Sequence, residues 1–356
     1  MQPVIQYIKT PRRTKRMACA AGLLAVALAG CYKDTLPVET DYLSKDMNFK
    51  KDVFVSNLGR TNMFINVFNA DYSTQPLEFT LMSPRVEGKV PAPVLQELVD
   101  TRQWKDYYTG TEKSIAEIEA KRITVRRPIV DMNSQNGQLV VWPVDSNKVR
   151  YGKYYFDVKV KNGAGERLFT GLTIDLRRPR PYDPYEFDDI TGLRKPDNSG
   201  GIIRPTTLTG HVDAQQREIK AENVQVYFVK TGNAANTITF KFVDKDSIGI
   251  PLTVFNYQRW DSLFYYSKMA DRNVKFGFNG RIPKDSMSVT YDITNPFPIL
   301  SEVFPGDEEA EYNFRFTRVS FGSRRIGTIG LKLSIHEPGE WTVIFRYRIN
   351  PKFSDD

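Results

Sequence analysis

The tail of this chain constrains its fold more than any other stretch. Apolar side chains take every second position through Trp341, Val343, Phe345, Tyr347 and Ile349, with Thr342, Arg346 and Arg348 among the residues between them. A period of two marks a strand with one face in a core and the other toward water. The same alternation runs through Val224, Val226 and Phe228, through Ile238, Phe240 and Phe242, through Tyr312, Phe314 and Phe316, and through Leu331, Leu333 and Ile335. In the first half Phe156, Val158 and Val160 face one way while Asp157, Lys159 and Lys161 face the other, and Leu172, Ile174 and Leu176 close that unit. Strand-length runs also span Met63 to Phe68 and Leu77 to Leu81, with breaks at Asn69-Ala70-Asp71 and Ser83-Pro84. Short strands separated by turns predict a β-sandwich or a barrel.

Two interruptions organise the strands. Val94, Leu95, Leu98 and Val99 recur at helical spacing after Pro91 and Pro93, and Ser114 with Glu117 fits a capping box opening a helix at Ile115. Strands resume at Ile123 to Arg126, at Gln138 to Trp142 and at Tyr154 to Val160. Residues 178–205 are rich in proline and glycine and predict a semi-rigid linker. The expectation is a mainly β chain of two β-sandwich domains, residues 51–177 with a small helical insertion and residues 206–356. A short echo supports two related units: Gly152 precedes Tyr154 as Gly339 precedes Trp341, each opening an alternating strand. This pattern resembles immunoglobulin-like and PKD-like envelope domains near their last strands. Its plain meaning is an aromatic anchored in the core beside a turn, not a binding role for Trp341.

The other end carries an address. Arg12, Arg13, Lys15 and Arg16 precede a short apolar run, Met17 to Ala29, and then Leu28-Ala29-Gly30-Cys31. That order predicts a secretory signal over residues 1–30, with an apolar run too short to span a bilayer. Its ending resembles a bacterial lipobox, which implies lipidation at Cys31, with residues 31–50 as a tether. Membrane attachment through this lipid anchor is the first expected partnership. Residues 1–30 hold five basic residues and no acidic ones, which leaves 45 basic against 42 acidic side chains beyond them. A balance so near neutral gives no support for nucleic-acid binding. Cys19 and Cys31 are the two cysteines. With one in the leader and one lipidated, no disulfide is expected, and stability must come from burial.

Catalytic signatures do not accumulate. The chain has two histidines, His211 and His336, both beside turn-like residues. No His-Glu-x-x-His zinc site, nucleophile elbow or phosphate-binding glycine loop appears. No enzymatic activity and no cofactor are expected, although a carboxylate pair across a cleft, as in a glycoside hydrolase, leaves no sequence spacing to find. The acidic cluster Asp183, Glu186, Asp188 and Asp189 offers calcium candidates, with a solvated acidic loop as the plainer alternative. Asp244 to Ser247 reads as a hairpin turn. Two aromatic clusters are candidate stacking platforms for sugar rings: Trp104 with Tyr107 and Tyr108, and Trp260 with Tyr257, Tyr265 and Tyr266. The Trp260 cluster reads as a presented loop or short helix. Core packing competes for both clusters. An exposed tryptophan pair would favour a glycan, and a buried pair a protein partner.

Several segments carry a family likeness. Asp41-Tyr-Leu-Ser, Leu58-Gly-Arg-Thr61, Phe68-Asn-Ala-Asp71 with Ser-Thr-Gln-Pro-Leu77, and Tyr108-Thr-Gly-Thr-Glu-Lys-Ser-Ile-Ala-Glu-Ile-Glu-Ala-Lys121 follow the Cys31 motif. Together they resemble an uncharacterised family of Bacteroidota envelope lipoproteins, a domain of unknown function. Such lipoproteins often accompany starch-utilisation-type outer-membrane transporters and their glycan-binding lipoproteins. The resemblance implies an outer-membrane, lipid-anchored protein that binds a glycan or a transporter complex without catalysis. The alternative is a structural or adhesive protein that binds a protein partner. The resemblance assigns no site residues.

Overall fold

The computed structural model describes residues 40–267, 271–299 and 309–356. The expected signal segment and Cys31 lie outside the described residues. No described helix is long and apolar enough to cross a membrane.

The first half opens with strands β1 (Asn48–Phe49), β2 (Val53–Asn57), β3 (Asn62–Phe64), β4 (Phe68–Asn69) and β5 (Glu78–Val86). A hairpin of β6 (Leu98–Trp104) and β7 (Arg122–Pro128) follows, with helix α1 (Ile115–Ala120) between its strands. β8 (Val130–Met132), β9 (Leu139–Val141), β10 (Gly152–Asn162) and β11 (Gly165–Arg177) complete it. One sheet runs β2-β11-β10-β5 and another runs β3-β9-β8. Between them lies a core that includes Phe54, Phe156, Val158, Leu139, Val141 and Ile174. The alternation in β10 works as read: Tyr154, Phe156, Val158 and Val160 are buried while Lys161 is exposed.

The second half contains β12 (Tyr182–Asp183), β13 (Thr207–Thr209), β14 (Val224–Gly232), β15 (Thr237–Val243) and β16 (Leu263–Ser267). β17 (Arg272–Arg281), β18 (Ser288–Ile293), β19 (Ala310–Ser320), β20 (Ser323–Ile335) and β21 (Glu340–Tyr347) finish it. A six-stranded sheet runs β14-β21-β15-β18-β17-β16. The facing sheet is built on β20, which pairs with β12, β13 and β19. Phe240, Phe242, Phe314, Phe345 and Tyr347 fill the space between, and their rings meet at offset and edge-on angles. Such pairs add about 0.5–1.5 kcal/mol each beyond the area they bury. The chain is thus mainly β, two packed sheet pairs with separate cores.

Three expectations change. Residues 44–50, assigned to the tether, belong to the folded body: Ser44, Met47 and Phe49 are buried, and Phe49 packs edge-on against Phe68 and Phe169. The proline-rich segment 178–205 is not a bare spacer. Tyr182 enters the second core, stacks on Phe228 at 4.3 Å and meets Trp341 edge-on, while β12 pairs with β20. Proline restricts a chain without preventing a large ring from finding a core. Residues 94–99 are not helical beyond a single 3-10 turn, Pro93–Gln96, because Leu98 onward is drawn into the ladder with β7.

The helix expected at Ile115 is present. Ser114 Oγ accepts from the Glu117 amide at 3.2 Å, and Glu117 reaches back to the Lys113 amide at 2.9 Å. This insertion does not stay with its own half. Tyr108 and Ile118 form a third apolar cluster with Val274, Phe278 and Ile299 of the second half. Gly110 permits the approach: its φ is +76°, and a Cβ there would lie 2.9 Å from Val274 Cγ2.

Candidate functional site

A cleft of about 1930 Å³ opens between the two halves. Small-molecule pockets run to roughly 300–1,000 Å³, so this space suits an extended ligand better than a compact one. The first half contributes residues Gly59 to Ile65, Asp100 to Arg102 and Trp142. The second contributes the loop Asn256 to Arg259, Phe264 to Tyr266 on β16, and the outward residues Glu311, Asn313 and Arg315 of β19 with Lys332 of β20.

A charged cluster fastens one end of the cleft. Arg60 Nη1 donates to Asp183 Oδ2 at 2.8 Å, and Arg180 pairs with the other oxygen of Asp183. His336 Nε2 lies 3.1 Å from Asp183 Oδ2 and 3.1 Å from Ser334 Oγ. Asn57 Nδ2 reaches Asp189 Oδ2 at 3.0 Å, and Arg177 pairs with the same carboxylate. Burial pushes the Asp183 carboxyl up, but the His336 hydrogen bond and the two guanidinium groups outweigh it and hold it below the usual range. Burial pushes His336 down, with the Asp183 hydrogen bond opposing it, and His336 Nε2 also lies 3.1 Å from Arg60 Nη1.

The four calcium candidates each have a partner within the protein. Asp183 and Asp189 are paired with arginines. Glu186 accepts from the Tyr182 hydroxyl at 3.0 Å. Asp188 caps its own turn by accepting from the amides of Ile190 and Thr191. Among the described residues, no group of three or more His, Cys, Asp or Glu side chains could hold a metal ion.

The aromatic candidates divide. Tyr257, Tyr265 and Tyr266 line the cleft, joined by Phe264. Residues 263–267 form the edge strand β16, not the loop or short helix expected, and period two turns Phe264 and Tyr266 outward at 52% and 50% exposure. Trp260 is half-buried against Phe255 and Phe314 in the second core. Trp104 stacks on buried Tyr108 at 5.1 Å beneath the Arg122 guanidinium, and Tyr107 is exposed outside the cleft. The two tryptophans therefore do not form an exposed platform. His211 is not at a surface turn either. It is buried beside Phe316 with Nδ1 3.1 Å from the Tyr347 hydroxyl, and burial pushes its pKa down to about 3.

A family model described as a domain of unknown function, DUF5007, matches residues 68–355. The chain belongs to the DUF5007 family. No curated protein matches this DUF5007 chain. Among solved structures it is similar to two tandem V-type regions of VCBP3, a v-region-containing chitin binding protein. That alignment covers 80% of this chain and 97% of the other at 8% identity, with a TM-score of 0.20. The C-terminal domain of the Streptococcus agalactiae AgI/II polypeptide BspA aligns over 76% of this chain and 83% of its own, at 10% identity and a TM-score of 0.10. Likeness this slight carries no weight for function. The family model names no catalytic activity.

Arg60, Arg315 and Lys332 escaped the sequence reading. Arg315 had a signal, since it occupies the polar phase of the strand that buries Phe314 and Phe316. Arg60 had none, because its partner Asp183 is 123 residues away.

Proposed function

We propose that this DUF5007 protein is a lipid-anchored envelope protein of the outer membrane that holds a glycan in the interdomain cleft without acting on it. In this reading it serves an uptake system of the starch-utilisation type, the neighbourhood that the Bacteroidota lipoprotein resemblance implies. The observation that carries it is the cleft of about 1930 Å³ with Tyr257, Phe264 and Tyr266 exposed along one wall. Aromatic faces on a rigid strand edge suit the apolar C–H faces of sugar rings and lose little conformational freedom on binding. An anchored protein gains further, because tethering raises the effective concentration of its cleft near a partner.

A glycan-array screen of the full chain in detergent tests this, with Tyr257→Ala and Tyr266→Ala as controls. Binding weakened at least tenfold by either substitution supports the reading. Binding to no glycan, together with cross-linking to an envelope protein, would replace it with the protein-partner reading, which the packed Trp104 favours. For the anchor, a Cys31→Ala protein that still fractionates with membranes would remove lipidation from the proposal.

A further inference from the structure

The loop that presents Tyr257 is fastened to β19. Asn256 Oδ1 accepts from the Thr317 amide at 2.7 Å and its Nδ2 donates to the Thr317 carbonyl at 2.9 Å. The Tyr257 amide reaches the Arg315 carbonyl at 3.3 Å. Tyr257 therefore has a fixed seat on the outer face of the strand that carries Arg315. The Arg324 guanidinium lies 5.7 Å from the centre of the Tyr257 ring, and Arg259 follows on the same loop and lines the cleft. Among the described residues none of Arg259, Arg315 and Arg324 forms an ion pair, whereas Arg60, Arg102, Arg122 and Arg180, the other arginines lining the cleft, all do. Neither Asp261, the acid of that loop, nor Arg324 is among the cleft's lining residues. Glu311 faces Lys332 across the β19–β20 pair and offsets it, which leaves the excess positive charge at the Tyr257 end. Among the described lining residues, seven arginines and lysines stand against four carboxylates.

From this we infer that the cleft takes an acidic polysaccharide, one carrying carboxylate or sulfate groups, with Tyr257 under a sugar ring and Arg259 and Arg315 on its acidic substituents. The inference rests on the glycan reading above and narrows it. Guanidinium groups offer paired donors in a fixed fork that matches carboxylate and sulfate oxygens, and they cost little to desolvate beside an aromatic ring. Unpaired arginines also need no existing ion pair broken before a ligand binds.

The test measures binding of the full chain in detergent to polygalacturonate, dextran sulfate and neutral pullulan, with single-stranded DNA as a non-sugar polyanion. An Arg259→Gln, Arg315→Gln variant is compared with the parent. Both side chains are exposed and make no ion pair, so the variant is expected to keep the parent's melting temperature. One or both acidic polymers should bind at least tenfold more tightly than pullulan, and the variant should lose at least tenfold on the acidic polymer alone. Tighter binding of polygalacturonate or of dextran sulfate identifies the substituent as carboxylate or sulfate. Pullulan bound as well as the acidic polymers, or a variant with undiminished affinity, would overturn the acidic specificity and leave the glycan reading standing. DNA bound as tightly as the best polysaccharide would overturn it too. Failure of all three polysaccharides would overturn the acidic specificity and leave the glycan reading to the array screen.

Discussion

Arg60 in the first half donates Nη1 to Asp183 Oδ2 at 2.8 Å, and this pair joins two sandwiches whose cores are separate. Asp183 is the common acceptor for Arg60, Arg180 and His336, and its side chain is 14% exposed. Neutralising it leaves two guanidinium groups facing each other with little water. Asp183→Asn should therefore cost about 2–3 kcal/mol, below the range for a fully buried pair because the arginines are partly solvated. Arg60→Gln should cost less, since Asp183 keeps two partners. A denaturant double-mutant cycle on Arg60 and Asp183 should give a coupling of about 1 kcal/mol or more, and simple additivity would show that the contact does not join the halves.

The two histidines make an internal pH probe. His211 is buried and His336 half-buried, and burial pushes both down, His211 to about 3. The unfolded chain takes up a proton at each near pH 6.5, whereas folded His211 does so only near pH 3 and folded His336 only below its ordinary value. Their contribution to stability is therefore whole above pH 6.5 and declines as the pH falls toward the folded values. Urea titrations from pH 7.5 to 4.5 should lose up to about 1.4 kcal/mol per pH unit for His211 below pH 6.5, with His336 adding a loss of the same sign. Carboxylates titrate mostly below it. A His211→Gln, His336→Gln chain should be nearly flat between pH 6.5 and 4.5, and an unchanged slope would contradict the burial argument.

What was legible in the sequence was whatever repeats locally. Phe240, Phe242, Phe314 and Phe316 announced their strands because period two is set by neighbouring residues alone. Ser114 and Glu117 announced a helix for the same reason. Tyr182 did not, since a proline-rich context says nothing about a ring finding Phe228, which lies in a strand 46 positions on. Leu98 and Val99 carried a helical spacing that pairing with β7 overrode. The cleft was hidden more thoroughly. Arg315 on the polar phase of a strand looks like any solvated residue until the first half closes opposite it.

The insertion reaches the second half through a contact with no spare room. Gly110→Ala adds a Cβ 2.9 Å from Val274 Cγ2 at a backbone φ of +76°, which ordinary side chains rarely adopt. The expected cost is about 1–3 kcal/mol. Hydrogen exchange should locate it: amides of Ile115–Ala120 should exchange faster, while those of β10 stay as protected as before. Loss of protection spread evenly through both halves would contradict a local role.

Tyr154 and Trp341 repeat one device in the two sandwiches. Each follows a glycine by two residues, each is buried, and each ring donates to the carbonyl four residues upstream, Tyr154 to Arg150 at 2.8 Å and Trp341 to Glu337 at 3.0 Å. The hydrogen bond ties the incoming turn to the start of the strand, so Tyr154→Phe should lose about 1 kcal/mol with the ring still in place. The glycines separate conformation from space. Gly152 and Gly339 have φ values of +148° and +141°, which favour glycine at both positions. A Cβ at Gly152 meets nothing within 4 Å, whereas at Gly339 it would lie 2.4 Å from Lys230 Cε and 2.8 Å from the Gly232 carbonyl oxygen. Gly152→Ala should cost about 1–2 kcal/mol from backbone strain alone. Gly339→Ala should cost at least about 1 kcal/mol more, because a backbone oxygen cannot swing aside as a lysine can. Equal losses in chemical denaturation would mean that strain is the whole cost at both turns and that β14 yields to let the methyl in.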